Sequence, residues 1–401
     1  MNKTSPIKLL LYSSDWLPTL GGIQTITSDL ANGLTDMSRE NPEGAIEVTL
    51  VTQTPADGMD DGALPFRVVR RPSKTQLLRL IRSADIVHSA GPAMWPLLLA
   101  YILGKTCVLE HHGYQTVCPN GLLLFEPDRS VCPGHFMAGR YRECVRCTSA
   151  SLGLTKSIRD LMLTFPRRWL ASKVTANIAV SRHIGMRTAL PQTLVIYHGV
   201  PKGNGSRETV ADGHGARFCF AYVGRLVIEK GVPVLLRAAR RLLDDGHNFE
   251  IRIVGDGPQR AELESMARGL GVDRVTKFMG GVKVEDVSRA LGPARAVVMP
   301  SVWEDVAPLV AIEQMMQGRL VIASDIGGLG ETVEGVGLKF PPGDDLQLAE
   351  RMRWVLEDPS RARTMGAKAA EVAAEKYTLP RMINEHIDLY RRLCQGTKAN
   401  T

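Results

Sequence analysis

At 401 residues, with 23% charged and 44% hydrophobic residues, the chain is sized for two globular domains, and this composition excludes a disordered or fibrous protein. The formal net charge of +7 allows attraction to phosphates or anionic lipid. No module interleaving basic and aromatic residues marks a nucleic acid as the partner.

The first apolar run, residues 9–12, stops at Ser13-Ser14-Asp15 and is too short for a secretory leader. It reads as a buried strand over 7–12. A loop with Pro18 and Gly21-Gly22 follows, and then Ile23, Ile26, Leu30 and Leu34 recur at helical spacing. Further strands are expected at 47–51, 85–88 and 106–109. The longest apolar stretch, 95–103, falls short of a membrane span and reads as a buried helix with Pro96 near its start. Strands at 177–180 and 194–197 close a first domain over 1–200. The expected location is cytoplasmic, with a peripheral station on the inner membrane face.

Residues 201–216 are rich in Gly, Ser, Asn and Asp and read as a linker. The rhythm then restarts, with strands at 218–223, 249–254, 296–299 and 320–324. Helices are expected at 232–242, 261–270 and 308–317. This second domain runs over 217–375, and a last helix, in 376–401, is expected to return to the first. Alternating strands and helices predict an α/β protein with two doubly wound parallel sheets. Ligands in such folds sit beyond the strand C-termini, so an interdomain cleft is the expected site.

Four segments carry candidate chemistry. Gly21-Gly22 lies between a strand and a helix, where backbone amides can approach an anion. Gly224-Arg225, with Lys230-Gly231, sets two cations at a strand end, suited to a diphosphate leaving group. Gly255-Asp256-Gly257-Pro258 ends another strand in a tight turn. In the segment from Pro300 to Glu313, Pro308 reads as a first helical residue, which leaves the Leu309 and Val310 amides as free donors. Asp305 and Glu313 flank those amides and suit sugar or ribose hydroxyls.

Together these segments resemble retaining glycosyltransferase family 4, of GT-B fold, whose acidic pair is spaced E-x7-E. Asp325-Ile326-Gly327-Gly328 with Glu331, then Gly337-Leu338 and Pro342-Gly343-Asp344, extend the likeness, which runs from about Leu9 to Tyr390. The resemblance implies retention of configuration without a catalytic metal, and no D-x-D triplet occurs in the chain. It assigns Arg225 and Lys230 to the donor diphosphate, Glu313 to the ribose and Asp305 to the transferred sugar. Gly21, Gly22, Gly224, Gly255, Asp256, Pro308, Leu309 and Val310 complete the donor-binding set. His112 matches a histidine near the reacting sugar, with His111 as its competitor. One departure is Asp305 itself, where the family usually carries Glu. The carboxylate is set back by roughly 1.5 Å, one carbon–carbon bond, and Glu304 is the alternative. The implied donor is a nucleotide diphosphate sugar of UDP or GDP type, and the acceptor a glycan or lipid-linked molecule. A nucleotide-sugar epimerase and a non-catalytic nucleotide-sugar-binding protein are the competing readings.

An insert over 112–151 carries Cys118, Cys132, Cys144 and Cys147. Its C-x2-C knuckle resembles a four-thiolate structural zinc site, with buried thiols or a labile disulfide as the alternatives. Residues 140–173 are basic, and Leu154, Ile158, Leu161, Leu163, Phe165 and Trp169 are interleaved among them. Residues 67–82 are similarly basic. Such stretches suit an anionic membrane surface, or a core-facing helix with a solvated basic face.

Overall fold

The computed structural model describes residues 5–19, 21–42, 45–201, 217–283 and 286–398. Residues 202–216 of the expected linker lie outside the described residues. The chain divides into two compact units. One comprises Met1–Pro127, Cys132–Gly199 and Thr378–Thr401; the other comprises Asp128–Val131 and Val200–Tyr377.

The first unit is built on β1 (Ile7–Ser13), β2 (Ile46–Thr52), β3 (Arg67–Arg70), β4 (Ile86–Ala90) and β5 (Thr106–His111). A short strand, β6 (Leu124–Phe125), precedes β8 (Ala176–Ala179) and β9 (Thr193–Val195), and β7 (Ser130–Val131) lies in the segment counted with the second unit. The seven-stranded sheet runs β3-β2-β1-β4-β5-β8-β9, and its strand pairs are parallel. Leu9, Leu10 and Leu11 of β1 are buried on both faces, as strands sandwiched between helix layers must be. Helices α1 (Gly22–Glu40), α2 (Lys74–Ser83), α3 (Met94–Ile102), α4 (Tyr141–Leu152), α5 (Leu154–Ala171) and α6 (Arg182–Thr188) belong to this unit.

The second unit repeats the plan with β10 (Phe218–Val223), β11 (Phe249–Val254), β12 (Thr276–Gly280), β13 (Ala296–Met299), β14 (Leu320–Ser324) and β15 (Leu338–Phe340). Its parallel order, β12-β11-β10-β13-β14-β15, reverses direction between β10 and β13. A crevice opens at such a reversal, beyond the strand C-termini. Helices α7 (Val232–Asp244), α8 (Arg260–Gly269), α9 (Val287–Leu291), α10 (Leu309–Met316), α11 (Gly327–Thr332), α12 (Asp345–Glu357) and α13 (Ser360–Lys376) complete it. Phe220, Leu235, Leu236, Ile251, Val298 and Ile322 pack into one core between the sheet and helices such as α7 and α12.

The last helix, α14 (Leu379–Lys398), packs on α1 in the first unit. Gly33 of α1 makes the approach possible: a Cβ there would lie 1.9 Å from Ile383 Cδ1.

The 95–103 stretch differs from its expectation. Helix α3 buries Pro96, Leu97 and Ala100, while Trp95, Tyr101 and Ile102 are exposed. The expected strand at 194–197 is also shorter, ending at Val195. Helix α10 begins one residue late, with Pro308 as the residue before it rather than its first.

Candidate donor site and a buried histidine cluster

In the second unit, the ends of β10, β11 and β13 meet through backbone contacts that tolerate only glycine. Gly224 donates its N–H to Val254 O at 3.0 Å, and a Cβ on Gly255 would lie 1.9 Å from Gly224 O. Gly255 has φ +140° and Gly231 φ +66°, backbone regions that favour glycine. A Cβ on Gly231 would lie 1.9 Å from Pro300 O. The Val302 amide, 3.0 Å from Glu229 O, ties the Lys230 turn to the loop after β13.

This tie brings Lys230 to Asp305. Lys230 Nζ donates to Asp305 Oδ2 at 2.5 Å, with the carboxylate buried and the ammonium partly exposed. The same ammonium lies 5.6 Å from the Trp303 ring centre. Trp303 Nε1 is buried without a hydrogen-bond partner. Asp305 is fixed from behind by the glycine pair of the D-I-G-G segment. Gly328 donates to Asp305 O at 2.6 Å, and a Cβ on Gly327 would lie 2.6 Å from that oxygen. Ser324 Oγ donates to Ser301 O at 2.6 Å and holds the start of the same loop.

Other sequence-derived residues stand apart from this pair. Arg225 is 76% exposed in its side chain and reaches Glu229 only at 4.0 Å. Asp256 is engaged by the Gly257 amide at 2.7 Å and by Arg260 at 3.2 Å; the amide bond foremost holds its carboxyl below the usual range. Glu313 is partly buried on α10, and burial raises its pKa. The expectation of a free Leu309 amide is corrected, because that N–H donates to Ala307 O at 3.0 Å. The chain bends tightly before the helix, with Pro308 at ψ 84°, and the bend engages this donor. Glu304 is buried beside Asp305 in sequence.

In the first unit, Gly21 and Gly22 stand at the start of α1, whose N-terminus carries no side-chain cap and no acid in its first turn. His111 and His112, at the end of β5, have different surroundings. His111 Nε2 lies 2.9 Å from Asn177 Oδ1, and Asn177 itself donates to Ala171 O and Pro191 O. Burial lowers the His111 pKa to about 4. His112 instead faces Glu110 Oε2 at 3.6 Å and stacks on His198 with ring centres 5.2 Å apart.

Glu110 is the centre of a cluster that the sequence reading missed. His88, His112 and His386 face its Oε2 at 3.2, 3.6 and 3.9 Å, and His198 faces its Oε1 at 3.7 Å. All five side chains are buried. The neighbouring imidazoles, His112 first among them, hold the Glu110 carboxyl well below its usual range against the opposing effect of burial. The available signal was histidine at the C-terminal part of an apolar strand, in Ile86-Val87-His88.

Cys118, Cys132, Cys144 and Cys147 are buried thiols, and none is in a disulfide. Cys147 Sγ accepts from the Glu126 amide at 3.4 Å and from Asn120 Nδ2 at 3.6 Å. Burial first, and then the neighbouring cysteines, push the Cys144 thiol up to about 12. Among the described residues, the groups of three candidate ligands whose atoms lie within 4.8 Å of one another are formed by histidines and Glu110, not by these thiols.

Two parallel-sheet α/β units of this kind define the GT-B fold. The likeness extends along the whole chain to solved glycosyltransferase structures. Sucrose-phosphate synthase from Thermosynechococcus elongatus matches with a TM-score of 0.71 at 19% identity, over 97% of this chain and 100% of that one. HepE from Anabaena, solved in complex with UDP and glucose, matches with a TM-score of 0.68 at 16% identity, over 96% and 100%. Residues 212–372 match the family model described as "Glycosyl transferases group 1". The α-D-kanosaminyltransferase of Streptomyces kanamyceticus is 29% identical over 311 residues, 76% of this chain and 75% of that protein. These findings support a glycosyltransferase of the group 1 type.

Proposed function

We propose that the protein transfers a hexose-type sugar from a nucleotide diphosphate sugar, of UDP or GDP type, to a glycan or lipid-linked acceptor of the cell envelope. It does so with retention of configuration and without a catalytic metal. The observation that carries this reading is the Lys230–Asp305 pair, set where the second sheet reverses and beside glycine-walled turns. A diphosphate entering there meets Lys230, with Arg225 as the second, mobile cation. Glu313 takes the ribose hydroxyls and Asp305 the sugar. Gly21, Gly22 and His112 are this reading's contribution from the first unit.

In the proposed step the bond from the anomeric carbon to the leaving phosphate oxygen breaks. The bond to the acceptor oxygen forms on the same face, and the acceptor's proton passes to the departing phosphate. Positive charge at Lys230 lowers the barrier most where negative charge grows, on the leaving diphosphate. Incubation with a panel of nucleotide sugars, with and without a membrane extract, tests the reading. Release of nucleoside diphosphate with sugar transfer is expected. Sugar isomerisation, or binding without turnover, would replace it with the epimerase or the sensor.

The lipid-linked acceptor draws support from α5. Leu154, Ile158, Met162, Phe165 and Trp169 recur at helical spacing along one face, each 39–61% exposed, with Lys156 and Arg159 beside them. Apolar side chains flanked by cations suit the surface of an anionic bilayer. No described helix is long and apolar enough to cross a membrane. Flotation with vesicles of mixed neutral and anionic lipid is expected to carry the protein upward, and Phe165→Glu with Trp169→Glu is expected to abolish this. Equal flotation on neutral vesicles would remove the electrostatic part of the proposal.

Structural zinc on Cys118, Cys132, Cys144 and Cys147 remains part of the proposal. Four buried thiols suit it, and a divalent cation would offset the burial that raises the pKa of Cys118, Cys144 and Cys147. The Glu126 and Asn120 donors at Cys147 are of the kind that support a ligating sulfur.

A further inference from the structure

We infer that His88, Glu110 and His386 form a second metal site, for a zinc-like divalent cation, which fastens α14 to the sheet of the first unit. His88 stands on β4, Glu110 on β5 and His386 on α14. Their ligand atoms lie within 4.8 Å of one another, and all three residues are buried. An ion with bonds of about 2.1 Å in tetrahedral geometry sets its ligands about 3.4 Å apart. The separations from Glu110 Oε2, 3.2 Å to His88 Nε2 and 3.9 Å to His386 Nε2, bracket that distance.

Proton placement supports the assignment. His386 Nδ1 lies 2.8 Å from Met382 O, and a carbonyl only accepts, so the ring proton sits on Nδ1. In the neutral ring, Nε2 then turns a bare lone pair toward a carboxylate. His88 commits its Nδ1 to the Tyr390 hydroxyl at 2.6 Å, a partner that can donate or accept, and turns its Nε2 toward Glu110 at 3.2 Å. Neither Nε2 has a hydrogen-bond partner. The His386 Nε2 lone pair and the buried carboxylate repel one another unless a cation lies between them. Metal-bound histidines characteristically commit their second nitrogen to a carbonyl or another polar group, as both rings do here. His112 and His198, which form another such group with Glu110, have neither nitrogen so committed. Two imidazoles with one carboxylate suit zinc, and iron or manganese are the chemical competitors.

The test uses crystals of the unaltered full chain, purified without chelator and loaded with zinc. Anomalous difference maps at the zinc edge are expected to place a peak between His88, Glu110 and His386, separate from any peak at the four cysteines. Zinc-loaded crystals with no peak there, whatever the cysteines hold, would overturn the assignment. In solution, His386→Gln is expected to lose about one equivalent of divalent metal per chain by plasma mass spectrometry, as binding is linked to an intact ligand set. Chelation is expected to lower the melting temperature of the unaltered protein more than that of the variant. A folded His386→Gln protein with unchanged metal content would also overturn it. If this variant does not fold, the crystal measurement decides alone.

Discussion

Replacing Lys230 by alanine is expected to lower kcat by about 100- to 1,000-fold, the usual effect of removing one preorganised charge-stabilising group. The ammonium is positioned by Gly231 on one side and by the Val302–Glu229 contact on the other, so its place is set before any donor arrives. Two charges 4 Å apart at an effective dielectric of about 20 attract by about 4 kcal/mol. Only the part of that attraction that grows as the diphosphate leaves accelerates the reaction. Lys230→Arg is expected to recover little, because the planar guanidinium does not reproduce a compact ammonium already 2.5 Å from Asp305. Initial rates under saturating donor measure the effect, with circular dichroism to confirm folding. Near-normal turnover in a folded Lys230→Ala protein would remove Lys230 from the mechanism and leave Arg225 as the diphosphate partner.

The largest effect on stability is expected from Gly231→Ala. An alanine in the left-handed region costs about 1–2 kcal/mol. Its Cβ would also meet Pro300 O at 1.9 Å. That carbonyl has little room to retreat, because Ser301 O next to it is held by Ser324 and the Val302 amide by Glu229 O. The combined penalty is about 3 kcal/mol or more, or a fall of about 6–12 °C in melting temperature for a unit of this size. Gly246→Ala is the internal control. Gly246 has φ +80°, but a Cβ there would meet nothing within 4 Å, so only the conformational cost of about 1–2 kcal/mol applies. Equal melting temperatures for the two variants would show that the contact with Pro300 is not tight in solution.

The central strands of both sheets are legible in the sequence, because strands covered on both faces must be nearly continuous apolar runs. Residues 218–223, 249–254, 296–299 and 320–324 read as strands and are strands. Edges leave a weaker mark for the same reason: β9 is anticipated, whereas β3, β12 and β15 are not. Arg67–Arg70 in β3 and Leu338–Phe340 in β15 are short and partly solvated, and β3 hides inside a stretch that reads simply as basic. Motif reading reaches Lys230 and Asp305, whose glycine and proline neighbours leave a local mark. It does not reach their pairing, which depends on two loops 75 residues apart. The Glu110 cluster is less legible still. His88 and Tyr390, in contact at 2.6 Å, are 302 residues apart, and no local period links them. The Leu309 amide is engaged because the turn before α10 is tighter than a proline at the first helical position implies.

The place of α14 also bears on the order of assembly during synthesis. The first unit emerges from the ribosome first, yet the face of α1 around Gly33 and the environment of His88 wait for Ile383, His386 and Tyr390. Those residues are made only after the whole of Val200–Tyr377. Domains commonly fold as they emerge, N-terminal first. Here the second unit has its complete sheet while the first still lacks a wall. The nascent first half therefore leaves the face of α1 around Gly33 uncovered for the whole time the second unit is being translated, and this interval is where a chaperone would have the most to cover.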